Sequence, residues 1–265
     1  MYAFEYHRPT SVEAALSLLQ GAEDGKLMAG GQTLIPTLKQ RLAQPSDVID
    51  LGGLKELVGI CEDGDALVVG AMTTHAAVAD DALVKGKLAA LASLAEGIGD
   101  PQVRNRGTLA GSIANNDPAA DYPGAVLGLN ATVKTNRRTI GADEFFTGMF
   151  ETALEEDELI LSVRFPLAKR AAYAKFRNPA SRYAMVGAFV AELADGSVRV
   201  AITGAAPCVF RWTDAEQALA GGLDAAKLDQ LSVDAEGLNS DMHGSAAYRA
   251  HLVTVMTKRA LAALG

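Results

Sequence analysis

Cysteine is almost missing from this chain: Cys61 and Cys208 are its only two, far apart and each alone. An iron–sulfur cluster usually takes about four thiolates, so the chain cannot hold one by itself. Two lone thiols are expected to be buried and reduced, which fits a cytoplasmic protein. No run of about 18 apolar residues occurs, so no membrane span is expected. The opening Met1-Tyr2-Ala3-Phe4-Glu5 lacks the basic stretch and apolar stretch of a secretory signal. Positive charge is short as well. A net charge of −8 argues against nucleic acid as a partner, because phosphate backbones want a basic face. Histidine is scarce: His7, His75, His243 and His251 do not fall at metal-ligand spacing and are expected on the surface or at caps. Familiar nucleotide and nucleophile motifs are missing too. There is no G-x-G-x-x-G and no G-x-S-x-G, and the stretch from Gly21 to Leu27 is one residue short of a P-loop.

What remains is an apolar-rich chain, 49% hydrophobic over 265 residues, long enough for more than one core. Thr10-Ser11-Val12-Glu13 reads as a capping box ahead of a helical stripe at Val12, Ala15, Leu16 and Leu19. A short strand over 26–29 ends at Gly30-Gly31, and a helix is expected from about Thr33 to Leu42. A strand at 47–51 precedes a hairpin whose arms, 57–61 and 66–70, meet around Asp63-Gly64. Helices are expected at 74–79, 84–98 and 119–129, and strands at 131–135 and 159–165. Beyond about residue 168 the pattern changes to antiparallel strands at 173–177, 185–193 and 198–203, then helices at 213–220 and 246–264. Strands followed by helices predict a separate α+β unit there.

Two segments carry chemistry. The first is Leu27-Met28-Ala29-Gly30-Gly31-Gln32-Thr33-Leu34, and the second runs from Arg104 to Asp121 through Thr108, Ala110, Gly111, Ser112, Asn115 and Asp117. Each joins an apolar run to small residues with hydroxyl or amide side chains alongside. Unobstructed backbone N–H groups with neutral donors suit a diphosphate, and acidic side chains suit sugar hydroxyls. An ordinary strand-to-helix turn would explain Gly30-Gly31 equally well, and a plain loop could use Asp117 and the asparagines as turn-forming caps. A bound dinucleotide is the leading expectation.

The pairing of Ala29-Gly30-Gly31-Gln32-Thr33-Leu34 with Thr108-Leu109-Ala110-Gly111-Ser112-Ile113-Ala114-Asn115-Asn116-Asp117 closely resembles the FAD-binding medium subunit of molybdenum hydroxylases. The Phe4-Glu5-Tyr6-His7-Arg8-Pro9 opening fits as well, and the resemblance covers essentially the whole chain. It implies an α+β fold of the PCMH (vanillyl-alcohol-oxidase) type. Residues 1–167 would form the FAD-binding domain, with subdomains of about 1–55 and 56–167, and residues 168–265 a C-terminal α+β domain.

Carried over by resemblance, residues 27–34 would wrap the FAD diphosphate, and Thr108 to Ser112 would form a second flavin-contacting loop. Asp121 would hold a ribityl or ribose hydroxyl. Ile160 would offer an apolar or backbone contact, Lys175 would reach the flavin end, Ile98 stands where relatives can place an aromatic, and Tyr183 lies where some bring a tyrosine beside the ring. Two departures stand out: Ala110 replaces a usual glycine, with less backbone freedom, and Gln32 replaces a common histidine. The resemblance further implies an oxidoreductase subunit. Electrons would come from the [2Fe–2S] clusters of a small subunit, served by a large molybdopterin subunit, and pass through FAD to an external acceptor. A self-sufficient flavin oxidoreductase and an assembly protein that has lost FAD are the rival readings.

Overall fold

A computed structural model describes residues 1–264. Three small parallel strands come first, Glu5–His7, Gly25–Met28 and Asp47–Asp50, with Asp47–Asp50 in the middle. The helix Val12–Gly21 crosses between the outer two and buries Ala15 and Leu19. Its cap is Ser11, whose hydroxyl accepts from the Ala14 N–H. The expected capping box therefore starts one residue later, and Glu13 falls in the first turn without closing it. The helix after the glycines is also shorter than expected, Leu34–Lys39, because Arg41 takes a left-handed backbone just beyond it.

A second sheet of five antiparallel strands follows. Its centre is Ile160–Pro166, which pairs with Ala66–Gly70 on one side and Thr132–Thr135 on the other. The hairpin around Asp63-Gly64 forms, with Gly64 at φ +60°, although its first arm is Ile60–Asp63. The long helix expected over 84–98 is two helices, Ala82–Lys87 and Ala89–Glu96. Asp81 caps the first through the N–H groups of Leu83 and Val84, and the buried Leu88 breaks the run at φ −139° and ψ 59°.

The C-terminal part is a four-stranded antiparallel sheet in the order Arg170–Arg177, Ala184–Glu192, Val198–Thr203, Phe210–Arg211. Strand Ala184–Glu192 is buried on both faces. Val186, Ala188 and Val190 point toward the helix Ala246–Ala262, packing with Val253 and Met256. Phe189 and Ala191 point the other way, into the core shared with the first 167 residues. That second face is covered by Tyr122–Gly128, a helix whose every residue is buried. Gly128 permits the approach: a Cβ there would stand 2.7 Å from the Phe189 ring. The period-2 alternation that signals a half-solvated strand is lost at this position, since both faces meet protein. The α+β class expected from the sequence is the fold observed. No helix among the described residues is long and apolar enough to cross a membrane.

Candidate functional site

The two glycine-bearing segments, more than seventy residues apart in sequence, touch. A Cβ placed on Gly30 would lie 2.0 Å from the Arg106 carbonyl oxygen and 2.9 Å from Gly107 Cα. One on Gly111 would lie 3.3 Å from Ala29 Cβ. Only glycine allows backbone to approach backbone this closely. Gly31 is needed for another reason: it sits at φ +71°, in the left-handed region, as the chain turns from Gly25–Met28 into the helix Leu34–Lys39. The two adjacent glycines thus do separate work.

The second segment is a helix start rather than an open bend. Leu109–Asn115 is helical, and Thr108 caps it by accepting the Gly111 N–H at 3.1 Å. Thr73 to His75 brace it from behind: His75 N–H donates to Gly107 O, and Leu109 N–H donates to Thr73 O. Ala110 lies in the first helical turn, where its N–H donates to Ala71 O, and its methyl is buried. Alanine is the best helix former, so the departure from glycine costs no backbone freedom at this position. The helix ends at Asn116 in the left-handed region (φ 43°), its amide donating to the carbonyls of Gly148 and Glu151.

Between these segments lies a cleft of about 530 Å³. Leu27, Ala29, Gly30, Gly31, Gln32, Thr33 and Leu34 line one side, and Thr108, Ala110, Gly111, Ser112, Asn115 and Asp117 the other. Ile98, Asp121, Ile160 and Tyr183, also singled out from sequence, line the same cleft. Two of the expected residues do not. Met28 is absent from the cleft lining and packs against Gly31, its Sδ 3.6 Å from where a Cβ there would stand. Lys175 is held back by Asp121, with Nζ 2.9 Å from Oδ1 and 3.0 Å from Oδ2.

Asp121 is the most constrained group here. It is buried, and besides Lys175 it accepts the Tyr173 hydroxyl at 2.5 Å. Burial pushes its carboxyl above the usual carboxylate range, against the pull of Lys175 and the Tyr173 hydrogen bond. Burial, with the charge of Asp121, also raises the Tyr173 phenol. Asp117 closes a local turn by accepting the Ala119 N–H. Beyond it the loop is tied to the C-terminal sheet, where Gly204 N–H donates to Pro118 O and the Thr203 hydroxyl to Ala120 O.

Sequence reasoning missed several cleft residues, Glu158 and His75 among them. Glu158, whose side chain is wholly buried, accepts from Thr135, from Arg138 and from the Glu155 N–H. The Arg138 hydrogen bonds above all hold its carboxyl down to about 2. Arg138 is thus the clasp of the 154–160 wall. His75, expected on the surface or at a cap, is 5% exposed. Burial, and secondarily the Arg104 cation, push its imidazole down to about 4, so it is neutral near pH 7. Its signal was available: His75, Val78 and Ala79 share one buried helical face at i, i+3 and i+4 spacing. The other three histidines are exposed or, for His7, half-buried on Asp47 at 2.7 Å. The thiols also differ from expectation: Cys61 is exposed and Cys208 half-buried.

The cleft suits FAD on its own chemistry. Glycine backbone at closest approach, the start of the helix Leu34–Lys39, free hydroxyls at Thr33 and Ser112, and apolar walls at Leu27, Leu154 and Ile160 are what a diphosphate joined to flat rings requires.

Comparison with known proteins agrees. Residues 2–168 match the family described as the FAD binding domain in molybdopterin dehydrogenase, and residues 171–264 the CO dehydrogenase flavoprotein C-terminal domain. The chain is 39% identical to the nicotine 6-hydroxylase medium subunit of Paenarthrobacter nicotinovorans, over 99% of this chain and 98% of that protein. It is 37% identical to the carbon monoxide dehydrogenase medium chain of Hydrogenophaga pseudoflava, over 97% and 96%. In three dimensions it is similar to reconstituted CO dehydrogenase from Oligotropha carboxidovorans, with a TM-score of 0.91 at 33% identity, covering 99% of this chain and 97% of that one. Sequence, fold and cleft agree in their assignment, and the chain belongs to the family of FAD-binding medium subunits of molybdenum hydroxylases.

Proposed function

We propose that FAD lies in the cleft between the two glycine-bearing segments, and that the chain relays electrons through it within a three-part dehydrogenase. FAD supplies the redox chemistry, taking electrons singly from a one-electron donor and releasing them as a pair. The chain's own residues bind and orient it. Backbone N–H groups at Gly31 to Thr33 face the diphosphate, with the Thr33 hydroxyl beside them and the Ser112 hydroxyl across the cleft as neutral donors. Asn115 and Asp117 take the sugar hydroxyls. Asp121, already holding Tyr173 and Lys175, presents a fixed edge to the ribityl chain, and Lys175 acts through it by sustaining its charge. Leu27, Leu154 and Ile160 form the apolar walls, with Ile98 and Tyr183 at the outer reaches.

The single observation that supports this most is the close approach of Gly30 to Arg106 and Gly107, which makes one cleft of two distant segments. The partners are a small subunit with [2Fe–2S] clusters and a large molybdopterin subunit. The names of the relatives support that division: two medium chains of nearly equal identity to this one belong to enzymes named for nicotine and for carbon monoxide. Substrate choice on this reading lies in another polypeptide. The external acceptor takes electrons from the FAD, and the unpaired thiols suit a cytoplasmic setting.

Purification of the chain with its two partners tests the relay. The substrate of the large subunit should bleach the flavin absorbance in the complete complex and leave it unchanged when the small subunit is omitted. Steady turnover of a small substrate by the chain alone would replace this reading with a self-sufficient oxidoreductase.

A further inference from the structure

His75 lines the cleft, yet its Nδ1 is buried without a hydrogen-bond partner. Buried polar atoms in folded proteins nearly always have one. In most working histidines one ring nitrogen is fixed by a carbonyl or carboxylate, which sets the tautomer for the other. Nothing in the protein does so for His75. Its ring lies against Tyr122 at 5.3 Å between centroids and 45° between planes, and the Tyr122 hydroxyl is likewise without a partner. Its Nε2 faces Gly107, 2.5 Å from where a Cβ would stand, at the junction that Gly30 also meets. Arg104, the nearby cation, is already committed to the carbonyls of Ile98 and Gly99. Beside the junction of the two segments, an imidazole therefore lines the cleft with a buried ring nitrogen that the protein leaves unsatisfied.

From this we infer that His75 is a further cofactor-contacting residue, donating a hydrogen bond to the diphosphate stretch of FAD, and that the bound ligand rather than the protein selects its tautomer. The inference rests on the reading that FAD occupies this cleft. A neutral ring can carry its proton on either nitrogen, so it adapts to an anionic acceptor at no cost in charge. The ring also fills the space that a side chain at residue 107 would need.

The test uses the full chain stripped of FAD and labelled with ¹⁵N-histidine, His75→Gln serving to assign the signals. Saturating FAD should move the His75 ring nitrogens to a single-tautomer pattern, ADP should do the same, and riboflavin should not. By calorimetry His75→Phe, which keeps the ring and removes both nitrogens, should bind FAD about tenfold to a hundredfold more weakly, and His75→Gln should recover most of the loss. Binding by His75→Phe within twofold of the unaltered chain overturns the inference, as do His75 ring signals unchanged by saturating FAD. The labelled unaltered chain decides by itself if His75→Phe does not fold. Failure of the underlying reading looks different: the unaltered chain would take up no FAD, or Gly30→Ala would take it up equally well. Loss of binding in Gly30→Ala with full binding in His75→Phe defeats only the role of His75.

Discussion

Gly30→Ala is the sharpest perturbation the cleft offers. The residue's φ is not in the left-handed region, so alanine brings no backbone strain and the whole effect is steric. The added methyl would meet the Arg106 carbonyl oxygen at 2.0 Å, its carbon at 2.6 Å and Gly107 Cα at 2.9 Å, all main-chain atoms that no side-chain rotation can move aside. To bring a 2.0 Å approach out to the 3.4 Å of ordinary contact, the two segments must part by more than an ångström. Overpacking of this kind costs about 1–3 kcal/mol, a fall of about 2–10 °C in Tm for a chain of this size. The effect on FAD should be larger. Parting the segments breaks the simultaneous reach of the Gly31 to Thr33 N–H groups and the Ser112 hydroxyl to one diphosphate. Loss of two charge-assisted hydrogen bonds weakens binding by about a hundredfold or more. Flavin fluorescence quenching gives the affinity, and thermal unfolding without FAD gives the Tm. Gly86→Ala is the control, since a Cβ there meets nothing within 4 Å and lies inside a helix; it should bind FAD normally and be equally or more stable. Folded Gly30→Ala with FAD affinity within twofold of the unaltered chain would refute the steric reasoning.

Other consequences follow from the same contacts. Asp121→Asn leaves the Lys175 ammonium buried without its counter-ion and should lower stability by about 3–5 kcal/mol in urea unfolding; a loss under 1 kcal/mol would show that Lys175 finds another partner. Lys175→Met should lower both FAD retention and the flavin potential, and an unchanged potential with full occupancy would remove Lys175 from the site's electrostatics. Two acid-titration windows are expected. The folded-state value of His75 is depressed to about 4, so the neutral ring's contribution is complete above the ordinary histidine range and lost as pH falls through it toward 4. Glu158, depressed to about 2, contributes fully above the ordinary carboxylate range and loses that contribution as pH falls further toward 2. Stability against pH should flatten in the upper window for His75→Phe and in the lower for Glu158→Gln, and curves parallel to the unaltered chain would contradict both assignments. Thr108→Ala removes a helix cap and should cost about 0.5–2 kcal/mol, with FAD affinity falling as the helix start frays.

The sequence made the two cofactor segments visible because their requirements are local. A positive φ at Gly31, a capping hydroxyl at Thr108 and helix-compatible Ala110 are properties of a few consecutive residues. The strands were legible for the same reason, through alternation and the Asp63-Gly64 turn. What stayed hidden depends on partners distant along the chain. Glu158 looks like any acid of the Glu155-Glu156-Asp157-Glu158 run until Arg138 and Thr135 arrive from the neighbouring strand and turn. Asp121 could be marked as a sugar-binding candidate, but its engagement by Tyr173 and Lys175 exists only once the C-terminal sheet docks. The break at Leu88 was masked because the apolar stripe continues across it while the helix does not. His75 shared a face with Val78 and Ala79, a pattern read as evidence for the helix but not for the burial of its one polar member.

The central claim is that Gly30-Gly31 and the start of Leu109–Asn115 grip one FAD between them, and a crystal structure of the chain grown with FAD tests it most directly. The account predicts diphosphate density between Gly31 to Thr33 and Thr108 to Ser112, with His75 within hydrogen-bonding distance of it. A dinucleotide bound anywhere else, with this cleft holding only solvent, would contradict it.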